Sequence, residues 1–176
     1  VKGDAGSFFN VTRFGAVGDG VEDATSHVLK ALEAAGKNGG GIIYFPQGVY
    51  RITQPLAVPP GVELRGAGEK MQTRLGDTEH TSLQCYVGKG TAKPESDPAF
   101  ITLSAGAGIR NLNVVYPEQW AHSDAEELRC DPYPVAIRGA GEKVYLIDVV
   151  IAGAYDLVDF ASKPCDGFTI KRLGGW

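Results

Sequence analysis

The sequence predicts an all-β solenoid of short strands, closed at one end by a single short helix. Three observations carry this. Apolar residues recur at helical spacing in one segment, at Val28, Ala31, Leu32 and Ala35, and a strand-rich regime follows it to Trp176. A template of apolar, any, polar, apolar residues recurs at 109–112, 146–149 and 170–173. The last two copies are 170 − 146 = 24 residues apart, within the range of solenoid repeats. Glycine and proline, 24 and 10 of 176 residues, punctuate the strand-rich part as turns.

Along the chain, residues 1–13 are polar and glycine-containing, and Phe9, Val11 and Phe14 suit a lead-in strand. Gly15 to Gly20 reads as a turn into a helix over 24–36, with Asp23 as N-cap and Gly36 as stop. Gly39, Gly40 and Gly41 then break the helical pattern. Ile42 to Phe45 and Val49 to Ile52 form strands around the turn Pro46-Gln47-Gly48. Leu56 and Val58 lead into a corner at Pro59-Pro60-Gly61. VELRGAGEK at 62–70 recurs as VAIRGAGEK at 135–143, an offset of 135 − 62 = 73, close to three periods. Copies of the shorter template at 109 and 146 are 146 − 109 = 37 apart, so that coil carries extra residues. The excess falls in the polar, acid-rich stretch 117–134, and 69–98 is likewise too long and polar for a corner. Both are expected to be inserted loops.

The pattern FGAVGDG at 14–20 with GGGIIYFPQGVYRI at 39–52 closely resembles the N-terminal signature of the pectate-lyase-like superfamily. That resemblance implies a single-stranded right-handed parallel β-helix with a short N-terminal capping α-helix. It also implies a carbohydrate-directed function, since such proteins include polysaccharide lyases, glycoside hydrolases, mannuronan epimerases and phage tailspikes. In such a solenoid each coil stacks about 4.8 Å above the last, and no coil buries its own apolar face. Ile109, Leu146 and Ile170 are therefore expected to stack in a column. Asn111 and Asp148 would form a polar ladder at a bend, which Arg172 breaks. The helix would plug the first rung. One domain spans 1–176, with lead-in and cap at 1–41 and coils at 42–176. Family members usually carry more coils, so the chain is read as the N-terminal part of a longer β-helix, its far end covered by further coils or another chain.

A net charge of −4 without a basic run disfavours nucleic acid as a partner. No apolar stretch reaches membrane-spanning length, so no membrane partner is expected. The family resemblance implies an extracellular, secreted setting. Cys85, Cys130 and Cys165 lack metal-type spacing. Cys85 and Cys130 fall in the proposed loops, which leaves open a loop-to-loop disulfide or three unpaired thiols. His27, His80 and His122 are scattered and form no ligand pair, and no nucleotide-binding glycine motif or serine elbow appears. No metal site or cofactor is expected, although a lyase would use calcium to neutralise a uronate.

Carboxylates are the informative residues. Glycoside hydrolysis needs two acids across a cleft, whereas elimination needs a base for the C5 proton and a cation for the uronate. Tyr155, Asp156 and Asp159 follow the strand ending at Ile151 and are the catalytic candidates. Turn-capping of backbone amides is the competing role for both aspartates. The resemblance extends weakly to mannuronan epimerases, which carry a Tyr and an Asp after a comparable strand, but their adjoining histidine is replaced by Phe160. The loop 117–134, one coil earlier, brings Glu118, Trp120, Asp131 and Tyr133 as candidate substrate contacts, the aromatic rings stacking on sugar faces. Arg65 and Arg138 match within the long repeat and read as structural. The leading reading is a secreted glycoside hydrolase or polysaccharide lyase holding a polysaccharide in a groove along the axis. The alternative is a non-catalytic glycan-binding tailspike or surface adhesion module, typically a homotrimer. A third is a purely structural fragment that caps a solenoid.

Overall fold

The computed structural model describes residues 7–68, 80–91, 98–122 and 131–175, with 120–122 as backbone only. The chain climbs in rungs. After a lead-in strand β1 (Phe8–Asn10), a tight helical turn at Val11–Phe14 and strand β2 (Asp19–Asp23), helix α1 runs over Thr25–Lys37. One rung then holds β3 (Gly41–Phe45), β4 (Gly48–Ile52) and β5 (Leu56–Val58). The next holds β6 (Val62–Gly66), β7 (Thr81–Cys85) and β8 (Ile101–Leu103). Then β9 (Gly108–Val115) with β10 (Ile137–Gly139), and β11 (Tyr145–Ala152) with β12 (Val158–Asp159), make two more. Strand β13 (Thr169–Gly175) opens a last one. Every pairing among the described residues is parallel. This is the parallel β-helix expected from the sequence.

Three faces arise because the long strands bend. The first half of β9 pairs with β6 and its second half with β7. The bend is one residue per rung in the left-handed conformation: Asn111 at φ 52°, Asp148 at 56° and Arg172 at 52°. The third face is the separate sheet β5-β8-β10-β12. Alternation directs Ile43, Leu64, Ile109 and Leu146 into one column, each fully buried. Tyr50, Leu83, Val114 and Ile151 form a second column, and Leu56, Ile101 and Ile137 a third. No rung encloses these side chains alone, so stacking supplies the core.

Helix α1 covers the first rung, burying Val28, Ala31, Leu32 and Ala35 as its spacing requires. Its ends differ from expectation. The N-cap position is Ala24, and Asp23 acts one residue earlier, accepting the Thr25 N–H at 2.9 Å and the Thr53 hydroxyl at 2.7 Å. Gly36 lies inside the helix, where a side chain would press on Pro59, and the chain turns left-handed at Gly39. The 15–20 turn also leads into a strand, β2, which pairs with β4. Phe9 lies in β1, but Val11 and Phe14 form the helical turn that follows.

Three further expectations are corrected. The 62–70 and 135–143 repeats occupy different faces: Leu64 stacks on Ile109 in the first sheet, Ile137 on Ile101 in the third face. Their offset of 73 is therefore not three turns of one column. The segment 69–98 is not one loop, because β7 crosses it and pairs with β4 and β9. Cys85 ends β7, buried, its thiol pushed up to about 12 by burial. Cys85 and Cys165 are free thiols, and Cys130 lies outside the described residues. Finally, Arg172 does not break the bend ladder. It adopts the same conformation and clasps Asp148 with Nε and Nη2, the latter at 2.7 Å.

Candidate functional site

The outward row of the third face is Ala57, Thr102, Arg138 and Asp159, in register on four successive rungs. Arg138 is buried, and its Nε donates to Asp159 Oδ2 at 2.9 Å. Asp159 Oδ1 accepts the N–H groups of Ala161 at 3.0 Å and Ser162 at 2.9 Å, and the Ser162 hydroxyl donates to Oδ2. Burial opposes its ionisation, but the hydrogen bonds from Ser162, Ala161 and Arg138 outweigh it and hold the carboxyl below the usual carboxylate range. Asp159 is thus a charged clamp on Arg138 and on the following turn. The expectation that it serves as a free acid is revised, and the turn-capping role is the one observed.

The second face joins the third through 86–100, 116–136 and 153–157 on consecutive rungs, of which 86–91, 98–100, 116–122, 131–136 and 153–157 are described. Lys89 on the first bridges Glu118 at 3.6 Å and Asp131 at 3.5 Å on the second. The Gly90 N–H donates to the Pro132 carbonyl at 2.8 Å, locking the two loops together. Gln119 closes the 116–136 loop on itself, donating to the Asp131 carbonyl at 2.7 Å and accepting its N–H at 2.9 Å. Glu118 also accepts the Tyr133 hydroxyl at 3.1 Å.

Tyr133 departs from the sequence expectation of an exposed sugar-stacking ring. It is fully buried, packed edge-on against Tyr116 at 5.0 Å, and Tyr116 against Phe100 at 6.3 Å. Burial and the Glu118 contact push its hydroxyl above the ordinary tyrosine range. These rings anchor the loop from beneath, and only the hydroxyl reaches the acidic edge. The side chain of Trp120, and residues 123–130 with their acids, lie outside the described residues.

Asp156 and Tyr155 sit on the next rung. The Ala136 N–H donates to the Asp156 carbonyl at 2.9 Å and the Ile137 N–H to that of Leu157 at 3.1 Å. Those bonds bring the 153–157 connection directly beneath the end of the 116–136 loop. Asp156 is exposed and the Tyr155 ring is 47% exposed. The opposite edge is formed by residues 160–168, which enclose an open cleft of about 470 Å³ lined by Lys163, Asp166 and Phe168 among others. Among the described residues, no three His, Cys, Asp or Glu side chains gather as a metal site, and no helix is long and apolar enough to cross a membrane.

The arrangement has a floor with one fixed cation and two raised edges, one carrying Glu118, Asp131, Tyr155 and Asp156. Sequence reasoning found the acids on this edge but missed Lys89, which ties them together, and Arg138, which it read as a repeat residue. A lysine inside an apparently featureless loop gives no signal until its partners are known.

A family profile described as "Rhamnogalacturonase A/epimerase, pectate lyase-like" matches residues 8–118, more than half of the chain. "Alginate lyase 7" of Azotobacter vinelandii is 49% identical over 67 residues, covering 34% of this chain and 8% of that protein. Mannuronan C5-epimerase AlgE4 of the same organism is 43% identical over 67 residues, covering 34% and 12%. The solved A-module of AlgE4 superposes over 95% of this chain and 45% of that one, with a TM-score of 0.65 at 22% identity. A tailspike protein, gp49 of Acinetobacter baumannii bacteriophage Fri1, superposes over 97% of this chain and 31% of that one, with a TM-score of 0.63 at 13% identity. The last two likenesses show the fold alone. The chain spans an eighth or less of the two A. vinelandii sequences and under half of the A-module.

Proposed function

The chain belongs to the rhamnogalacturonase A/epimerase, pectate lyase-like family, and from that premise we propose that it is the N-terminal part of a secreted enzyme cleaving a polysaccharide held along its third face. One observation carries this reading: exposed Tyr155 and Asp156 stand on the connection whose carbonyls accept the Ala136 and Ile137 N–H groups, one rung from the loop that carries Glu118 and Asp131 and just before Asp159 of the Arg138–Asp159 pair. Similarity to an alginate lyase and a mannuronan epimerase supports an acidic polysaccharide as substrate.

The residues divide the work by environment. Asp156, exposed and unclamped, is the group that moves a proton, to the leaving oxygen in hydrolysis or from C5 in elimination. Tyr155 lies beside it to orient the sugar or share that proton. Asp159 keeps Arg138 fixed on the floor, and this buried ion pair shapes the base of the groove. Glu118 and Asp131, held by Lys89, shape the rim. Ile170 is 40% exposed, whereas its column mates Leu146 and Ile109 are fully buried. That apolar rung suits a further coil or another chain stacked on it.

A second reading is glycan binding without cleavage. It is favoured by the saturation of Asp159, which leaves Asp156 without that neighbour as a second free acid. Incubation with alginate, pectate and neutral glucans separates the readings. New reducing ends that absorb in the ultraviolet as unsaturated uronates identify a lyase, and reducing ends without that absorbance a hydrolase. Retention on a glycan with no product at all would sink the enzyme reading.

A further inference from the structure

The first face carries a second charged feature, remote from the third-face groove. Glu63 is buried on the outer side of β6, with only 8% of its side chain exposed. Its carboxylate accepts Arg65 Nε, Arg110 Nε at 3.3 Å and the Tyr145 hydroxyl at 2.6 Å. Burial opposes ionisation, but the bonds from Arg65, Tyr145 and Arg110 keep Glu63 below the ordinary carboxylate range. Gly108 makes this possible: it lies between Glu63 and Tyr145 in register, and any side chain there would collide with the Tyr145 ring.

Arg65 and Arg110 are neighbours on successive rungs. Stacking two guanidinium groups about 4.8 Å apart is unfavourable without a counter-charge, and Glu63 supplies one charge for two. Both arginines hydrogen-bond through Nε among the described residues, the Arg110 guanidinium also lies 6.0 Å from the Tyr145 ring centroid, and each side chain is 35% exposed. Their Nη groups are left for an external acceptor. The same outward column continues through Ile147 to exposed Lys171, flanked by Arg172 at the bend. Four cations (Arg65, Arg110, Lys171, Arg172) face two acids (Glu63 and Asp148), a local 4 − 2 = +2 on a chain whose net charge is −4. At the other end of the column Tyr44 stacks against Phe8 at 5.2 Å, an aromatic platform in line with the arginines.

We infer that this outer strip of the first face is a non-catalytic binding site for a carboxylated polysaccharide lying along the solenoid axis. Its rungs present planar guanidinium donors, which match carboxylates in geometry and charge, and an aromatic surface for a sugar face. The choice of ligand rests on the polysaccharide reading above, but the site is distinct from the one proposed for cleavage.

The test is titration calorimetry of the chain with size-fractionated polygalacturonate, with dextran of matched length, and with duplex DNA. Polygalacturonate binds, and added salt weakens it. The triple variant Glu63→Gln, Arg65→Gln, Arg110→Gln removes the ion network without stranding a buried charge, and weakens binding about tenfold or more. Circular dichroism checks its fold. Lys171→Glu, on an exposed side chain, weakens binding about fivefold and decides the matter should the triple variant not fold. Turnover at the third face, where the wild type shows it, is retained by the folded triple variant, so the two sites fail separately. Unchanged affinity in the folded triple variant or in Lys171→Glu overturns the inference. So does equal binding of dextran or tighter binding of DNA.

Discussion

From β9 onward the two corners that separate the faces behave in opposite ways. Between the first and second faces the chain turns on one residue, Asn111, Asp148 or Arg172, each left-handed at nearly the same φ. Between the second and third it takes connections as different as 153–157 and 116–136. A one-residue corner fixes the register of both flanking strands, and the three later rungs repeat it, whereas the two earlier rungs connect through 46–47 and 67–80. A variable corner leaves register to the strands and frees its own residues for other work. Glu118, Asp131, Tyr155 and Asp156 all stand at the variable corner. Over these rungs the solenoid separates stacking from the proposed chemistry by where it allows the chain to change length.

Perturbing the regular side has the largest expected effect. Leu146→Ala removes a fully buried side chain stacked between buried Ile109 and half-exposed Ile170, and costs about 3 kcal/mol or more. Chemical denaturation measures it, and a loss below about 1 kcal/mol would mean that the column is not tightly stacked.

On the variable side, Asp159→Asn removes a clamp that holds Arg138, Ala161 and Ser162, and costs about 2 kcal/mol at neutral pH. The folded carboxyl is held below its ordinary value near 4. Its stabilisation is therefore present above that pH and is lost as pH falls towards the folded value. The gap between wild type and variant should stay constant from neutrality to about pH 4 and close below it. A gap that closes at higher pH would contradict the clamp.

Arg172→Ala tests the ladder at the one-residue corner and has the smallest effect. The pair with Asp148 is exposed on the arginine side, where solvent and salt screen it. Its small shift in melting temperature should vanish at high ionic strength, and a large, salt-independent shift would show that the bend depends on the ion pair rather than on backbone conformation.

Legibility in the sequence followed the same division. The helix was readable because Val28, Ala31, Leu32 and Ala35 must face one way, and the 109, 146 and 170 copies because stacked rungs share one column. The nine-residue repeat misled because a strand running into glycine at a corner looks alike on any face, and Leu64 and Ile137 meet the same local demand on different sheets. Strand β7 was hidden between stretches 69–79 and 86–98, whose length outweighed its short apolar pattern. At the site, the acids of the variable corner were readable as a cluster, but not their environments. Tyr133 is buried because Tyr116 and Phe100, distant in sequence, meet it across rungs. Asp159 is saturated because its own turn folds back on it. Neither burial nor saturation has a signature in residue spacing.

The most direct test of the account is the turnover of an acidic polysaccharide by Asp156→Asn beside the wild type, with melting temperatures measured in parallel. Asp156 is exposed, and only its backbone carbonyl holds β10. The account predicts an unchanged melting temperature and a loss of turnover of about a hundredfold or more. Full turnover in the folded variant would contradict it and move the chemistry away from this corner.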